Sequence, residues 1–379
     1  MKPVVRTLLD LVAIRSDSAL SNRPVIDYAL RRLDAKAWDI ELFPYKDVAG
    51  VEKTNLVAVL KAGSRTPRRR NVELALVCHT DTVPFDPAWQ EAVKPRVRGG
   101  KLYGRGSCDV KGFLACMLTS ITEVNLDQFS KPLAIVLTAD EEIGCVGAKH
   151  LARKKALRSQ YTIIGEPTGL QVVRGGKGYG LAEIVVQGKE AHSAFPAEGH
   201  SAIYAAARIV AGLERVSKKL ATRKNPHFDP PYTTLNVGII KGGSAKNIIP
   251  GECRITVEWR PVPGQDPLWA ADLLRQEIAR LTSQSPDLSA TLDVKRVDPP
   301  FDPLGSPMLA PLMEDVTGQL ATTVAFGTEA AHLSPLTLET VVFGPGSMTT
   351  AHKSGEFVPV AELNKCVDYL KIIIDALCT

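Results

Sequence analysis

An apolar run that ends in carboxylates sets the tightest limit on what this chain can fold into. Leu133-Ala-Ile-Val-Leu137 has the length and residue types of a strand buried on both faces, and Asp140-Glu141-Glu142 follows almost at once. Three adjacent carboxylates at the end of a buried strand repel one another and lose hydration unless cations neutralise them. Open α/β sheets collect their sites at the carboxyl ends of their strands. The simplest arrangement that tolerates the cluster is a bound metal beside a carboxylate that works as a base.

A chain of 379 residues exceeds one ordinary core, so two domains are expected. Hydrophobic residues at 45% and charged residues at 23% describe a globular chain rather than a disordered one. The net charge of +5 is scattered. Its densest stretch, Lys61 and Arg65 to Arg70, reads as a solvated loop because no aromatic residues interleave with the charges, so nucleic acid is not an expected partner. The seven cysteines are odd in number and contain no Cys-x-x-Cys pair, which fits reduced thiols in a cytoplasmic protein. Val4–Val12 is amphipathic and unlike a signal peptide, and no apolar stretch reaches membrane-spanning length, so no membrane partner is expected.

Helical and strand patterns alternate through the first part of the chain. Strands are expected at 54–60, 72–78, 133–138 and 161–164, and helices at 3–14, 25–33, 112–123 and 148–155. That alternation predicts a mostly parallel sheet with helices on both faces. The texture changes at the glycine-rich segment Gly175–Gly180, which lacks the Lys-Ser/Thr of a phosphate loop and precedes a strand. A strand at 181–187, a helix at 202–216, strands at 233–241 and 252–259, a helix at 267–281 and a strand at 290–297 follow. This order is the split βαβ, ferredoxin-like arrangement. The expected division is a catalytic domain at 1–175, an inserted α+β domain at 176–297, and the rest of the catalytic domain at 298–379. The last part supplies a helix near 308–317, a strand at 340–343 and a closing helix at 361–377.

Five segments end strand-like runs with metal-type ligands. They are Cys78-His79-Thr80-Asp81, Gly104-Arg-Gly-Ser-Cys-Asp109, Asp140-Glu141-Glu142, Gly165-Glu166-Pro167-Thr168, and Ala351-His352 after a Gly344-Pro345-Gly346 turn. Each has an ordinary explanation when taken alone: a histidine that starts a turn, or an aspartate that caps a helix. Together, two histidines and three carboxylates (His79, Asp109, Glu142, Glu166, His352) are what two zinc-like ions need when one carboxylate bridges them. Glu141 is then left over as a base, and Asp81 is placed to orient His79. The chain has no Gly-x-Ser-x-Gly nucleophile elbow to support a serine mechanism.

This ordered motif set resembles the M20 metallopeptidase and deacylase family, and the likeness covers essentially the whole chain. The resemblance implies a dinuclear zinc hydrolase, with cobalt or manganese as possible substitutes, and an inserted lid that forms a homodimer. It implies that His79, Asp109 and Glu166 hold one ion, that Asp109, Glu142 and His352 hold the other, and that Glu141 is the general base. In the lid, His192 of Ala191-His192-Ser193 resembles the histidine that reaches across a dimer to steady the oxyanion, although a plain surface turn also suits it. Asn247 and Arg260 match positions that bind substrate carboxylate, and a guanidinium suits bidentate capture.

Gly327-Thr328-Glu329-Ala330 and the Gly344–His352 spacing look most like the acetylornithine deacetylase branch, which acts in arginine biosynthesis. Glu329 is a candidate partner for the ornithine ammonium, with an ordinary carboxylate at a helix start as the competing reading. Val110, Phe113 and Phe195 depart from the pattern of that branch. Succinyl-diaminopimelate desuccinylase or a dipeptidase is the alternative within the family. A non-catalytic protein on the same fold should have lost a ligand or the base, and none is missing here.

Overall fold

The computed structural model describes residues 1–60, 71–285, 288–302 and 307–379. The basic stretch at 61–70 lies outside the described residues. The chain separates into two compact units. The first is Met1–Arg174 with Pro303–Thr322 and Thr328–Thr379, and the second is Gly175–Asp302 with Thr323–Gly327.

In the first unit the apolar runs form the middle of a sheet. Strands Leu133–Thr138, Asn71–His79, Arg158–Gly165 and Thr337–Phe343 lie side by side in that order, all parallel. Burial on both faces requires continuous apolar sequence, and the strand Leu133–Thr138 is buried at every position. Two antiparallel strands, Glu52–Leu60 and Trp38–Lys46, extend one edge. The edge strand Trp38–Lys46 is absent from the sequence expectation. It buries only Trp38 and Phe43, and Asp39, Glu41 and Pro44 dilute its pattern.

Helices cover both faces, as the alternation predicts. The helices Pro3–Ala13, Lys111–Glu123 and Val360–Cys378 pack together over the face that carries Leu74, Leu76, Ile135 and Leu137. The helix Val146–Lys154 and the short helix Ala330–Leu333 pack on each other, and Leu151 and Leu333 meet Val77 and Val136 of the opposite face. Lys111–Glu123 is buried on every side except its last two residues, so it shows almost no amphipathic stripe.

The second unit is a four-stranded antiparallel sheet, in order Thr234–Gly242, Glu252–Arg260, Tyr179–Gln187, Ser289–Asp298. Helices Ala202–Leu220 and Trp269–Gln284 pack against one another beside it, burying Ile209, Leu213, Leu274 and Trp259 in a core of its own. The β-α-β-β-α-β order is that of the ferredoxin-like arrangement. Residues 298–302 and 323–327 group with this unit. All seven cysteines are buried free thiols. Among the described residues no helix is long and apolar enough to cross a membrane.

Candidate metal centre and active site

The parallel strands of the first unit deliver their ligands to one edge. His79 is the last residue of its strand, Asp140-Glu141-Glu142 follows Leu133–Thr138, and Glu166 follows Gly165 at the end of Arg158–Gly165. Gly165 has no alternative there, because a Cβ at this position would lie 2.1 Å from the Phe113 ring. Phe113 is fully buried, with its ring packed against Gly165.

Asp109 is the centre of the cluster. Its Oδ1 lies 3.3 Å from His79 Nε2, and its Oδ2 lies 3.0 Å from His352 Nε2. His352 Nε2 is also 3.1 Å from Glu142 Oε2. Two donors that share a tetrahedral ion, each about 2.0–2.1 Å from it, are themselves roughly 3.3 Å apart, so these spacings suit donors gathered on common ions. His79, Asp109 and Glu142 offer ligand atoms that all lie within 4.8 Å of one another, a group able to hold a metal ion.

The electrostatics fit a cation as well. Burial pushes the Glu141 carboxyl up to about 8, against the pull of His79 and with further repulsion from Glu142. Burial raises Glu166 well above the ordinary carboxylate range, and Glu141 and Asp109 add to it. Burial also raises Glu142, although the His352 imidazole opposes it. The same burial acts on Asp109, but hydrogen bonds from His352 and His79 outweigh it and hold that carboxyl far below its usual value. Asp109 and then Glu142 push His352 up to about 10. Imidazoles beside these carboxylates ease their burial, and a cation held by the same groups would do so directly.

Asp81 does more than stand beside His79. The His79 Nδ1 is 3.1 Å from the Asp81 backbone carbonyl and 3.7 Å from its carboxylate. The Asp81 carboxylate accepts the backbone N–H of Glu141 at 3.1 Å and of Glu142 at 3.3 Å, and the Ser18 hydroxyl at 2.7 Å. It thus holds the backbone of the acidic turn. Glu141 itself accepts a 3.4 Å hydrogen bond from the Cys145 thiol.

Glu356 and Arg105 form a further support of the site. Glu356 Oε1 accepts the backbone N–H of Cys108 at 2.9 Å and of Asp109 at 3.1 Å, and its Oε2 accepts Arg105 Nη1 at 2.6 Å. This buried pair ties the loop that carries Asp109 to the loop that carries His352. A motif-level signal existed only for the flanking ligands.

Glu329 is fully buried, and neither of its carboxylate oxygens has a well-formed hydrogen bond. Burial pushes its carboxyl up to about 7, against the pull of His79 and the Thr138 hydroxyl. In the second unit, exposed His192 pairs with Ile248 across a two-residue ladder, and Ser193 donates its N–H to the Asn247 carbonyl at 3.0 Å. These contacts bring His192 and Asn247 together. Arg260 ends its strand with its guanidinium over the Tyr179 ring and 3.6 Å from Glu258.

The sequence profile of peptidase family M20/M25/M40 matches residues 75–376, which is most of the chain and includes every ligand named above. The chain belongs to this family. It is a hydrolase that acts on an amide bond, and the M20 family is metal-dependent. Acetylornithine deacetylase of Myxococcus xanthus is 45% identical over 366 residues, covering 96% of this chain and 95% of the relative. Acetylornithine deacetylase of Proteus mirabilis is 34% identical, covering 94% of this chain and 91% of the relative. An aminopeptidase from Bacillus cereus shares the fold with a TM-score of 0.78 at 21% identity, over 99% of this chain and 98% of that one. A dinuclear metal-binding M20 peptidase from Bacillus subtilis does so with a TM-score of 0.69 at 15% identity, over 99% and 97%.

Proposed function

We propose that this M20 enzyme is a dinuclear zinc hydrolase that converts N2-acetyl-L-ornithine to L-ornithine and acetate, a step of arginine biosynthesis in the cytoplasm. The observation that carries the chemistry is Asp109, which turns one carboxylate oxygen to His79 and the other to His352. That is the disposition a bridging ligand needs. The deacetylase names of the relatives support the substrate.

His79, Asp109 and Glu166 would hold one ion, and Asp109, Glu142 and His352 the other. Zinc there, or cobalt or manganese in its place, supplies Lewis-acid polarisation of the scissile carbonyl and a lowered pKa for water. Glu141 takes the proton of the attacking water and delivers it to the departing amine. Burial raises its carboxyl, and cations held by the neighbouring ligands would lower it toward the range a general base requires. Asp81 keeps the Glu141 backbone in place through this transfer. Glu142 and Glu141 are adjacent carboxylates with separate tasks, one spent on metal and one free to cycle.

The second unit is assigned as a lid and dimerisation domain. His192 would steady the oxyanion across a homodimer. Asn247 and Arg260 would bind the substrate α-carboxylate, and Glu329 the ornithine ammonium. The test is a hydrolysis panel of N-acyl amino acids with zinc- or cobalt-loaded protein. Acetylornithine should turn over faster than its succinyl-diaminopimelate counterpart, neutral acetyl amino acids and dipeptides. Preference for the succinyl substrate or for dipeptides would replace this substrate assignment.

A further inference from the structure

Lys53 is a buried charge beside the acidic turn. It lies in the strand Glu52–Leu60 and is 1% exposed, a costly place for an ammonium. Its Nζ is 2.5 Å from the Ser18 carbonyl, 2.8 Å from the Leu20 carbonyl and 2.9 Å from Asp140 Oδ1. Asp140 is fully buried, and its other oxygen accepts the Tyr45 hydroxyl at 2.9 Å. None of these groups belongs to the metal ligand set, and of them only Asp140 lies in one of the ligand-bearing motifs.

Asp140 opens the turn that presents Glu141, and its φ of +59° is left-handed. For a residue with a Cβ this conformation costs about 1–2 kcal/mol, so something must hold it. Lys53 and Tyr45 grip its side chain from two sides, and Val146 donates its N–H to the Asp140 carbonyl at 3.0 Å. The same lysine grips the Ser18 carbonyl, while the Ser18 hydroxyl holds the Asp81 carboxylate. Asp81 in turn accepts the N–H groups of Glu141 and Glu142. The contacts close a ring: Lys53 to Asp140, along the chain to Glu141, across to Asp81, through Ser18, and back to Lys53.

We propose that Lys53 is a positioning residue that fixes the backbone of the Glu141 turn from both sides, through Asp140 and through the Ser18–Asp81 arm. The proposal rests on Glu141 as the base. Loss of Lys53 leaves the turn free to shift, and a misplacement near 1 Å costs about 100-fold in rate.

Lys53→Met alone would leave the Asp140 charge buried with only Tyr45, which threatens folding. The test variant is therefore Lys53→Met/Asp140→Asn, where both charges go and the Asn carbonyl still accepts from Tyr45. Tyr45→Phe is the second variant, removing the other grip on Asp140 without changing ring shape. Each is loaded with zinc and assayed for metal content, melting temperature, KM and kcat on the best N-acyl amino acid of the panel. The double variant should keep its metal content and a KM within about 2-fold, while kcat falls by about 10–100-fold. Tyr45→Phe should lose kcat by about 3-fold with the same pattern. A purely structural lysine would move melting temperature and leave kcat of the folded, metal-loaded protein alone. Wild-type kcat in a folded double variant overturns the proposal; if that variant does not fold, wild-type kcat in Tyr45→Phe overturns it. Glu141→Gln is run alongside. Near-normal turnover there would remove the base assignment itself, whereas its collapse beside an active double variant would remove Lys53 alone.

Discussion

Replacing Glu356 by Ala removes three contacts at once: Arg105 at 2.6 Å and the backbone N–H groups of Cys108 at 2.9 Å and Asp109 at 3.1 Å. Arg105 is 4% exposed and Glu356 1%, so neither is rescued by solvent in place. Stranding one member of a buried ion pair costs about 3–5 kcal/mol, and an unmet backbone N–H adds roughly 1–3 kcal/mol. Water entering the vacated space returns part of this, so a loss of about 4 kcal/mol is expected. Arg105→Met/Glu356→Gln removes both charges while the Gln carbonyl still accepts from the amides. It should lose about 1–2 kcal/mol, well short of the roughly 6–10 kcal/mol sum of the two single variants that each strand one buried charge. The assay is urea unfolding of the metal-free protein, read as a midpoint shift at constant slope. Because the pair ties the Asp109 loop to the His352 loop, zinc affinity of Glu356→Ala should also drop by about 10–100-fold. An unchanged midpoint with unchanged zinc affinity would refute the clamp, as would a double variant that loses the full sum.

Three further outcomes follow from buried carboxylates. Glu339, 2% exposed, accepts the N–H groups of Met308, Leu309 and Ala310 at 2.6, 2.7 and 2.9 Å and so caps the helix Leu309–Thr317 from a neighbouring strand. Glu339→Ala should cost about 2 kcal/mol of stability with kcat per folded molecule unchanged; a loss of kcat in folded protein would contradict this. Glu329 has a folded-state pKa of about 7 against an ordinary 4.5. Its contribution to stability is therefore fully present below about pH 4.5 and is lost as pH rises through 7. Metal-free Glu329→Gln should match wild type in melting temperature near pH 4 and exceed it near pH 8; identical profiles would show that the group is not held protonated. On the substrate side, the same variant should lose more activity on acetylornithine than on a neutral acetyl amino acid. Equal losses would end its assignment to the ammonium.

Much of this architecture was readable because burial on both faces forces continuous apolar sequence. Leu133–Leu137 and Val72–Cys78 announce central strands, and the polar residues that end them announce the site edge. The edge strand Trp38–Lys46 was not readable, since one exposed face admits Asp39, Glu41 and Pro44. His79, Asp109 and Glu142 were legible as candidate ligands because charged groups at the ends of apolar runs demand a reason, and the fold gathers their ligand atoms within 4.8 Å of one another. Their supports were not. Glu356 meets Asp109 across a sequence separation of 247 residues, and Lys53 beside an apolar run looks like an ordinary strand entry. Asp81 was read as a companion of His79, yet its carboxylate holds the Glu141 and Glu142 backbone, a contact that only the folded chain creates. Phe113, which departs from the branch pattern, packs its ring on Gly165.

The most direct measurement is the rate of acetate and ornithine release from N2-acetyl-L-ornithine by zinc-loaded wild type and by Glu141→Gln, with bound metal counted in both. The account predicts turnover by the wild type and a fall of about 100–10,000-fold in the variant at equal metal content. Near-normal turnover by metal-replete Glu141→Gln, or no release of acetate by metal-replete wild type, would contradict it.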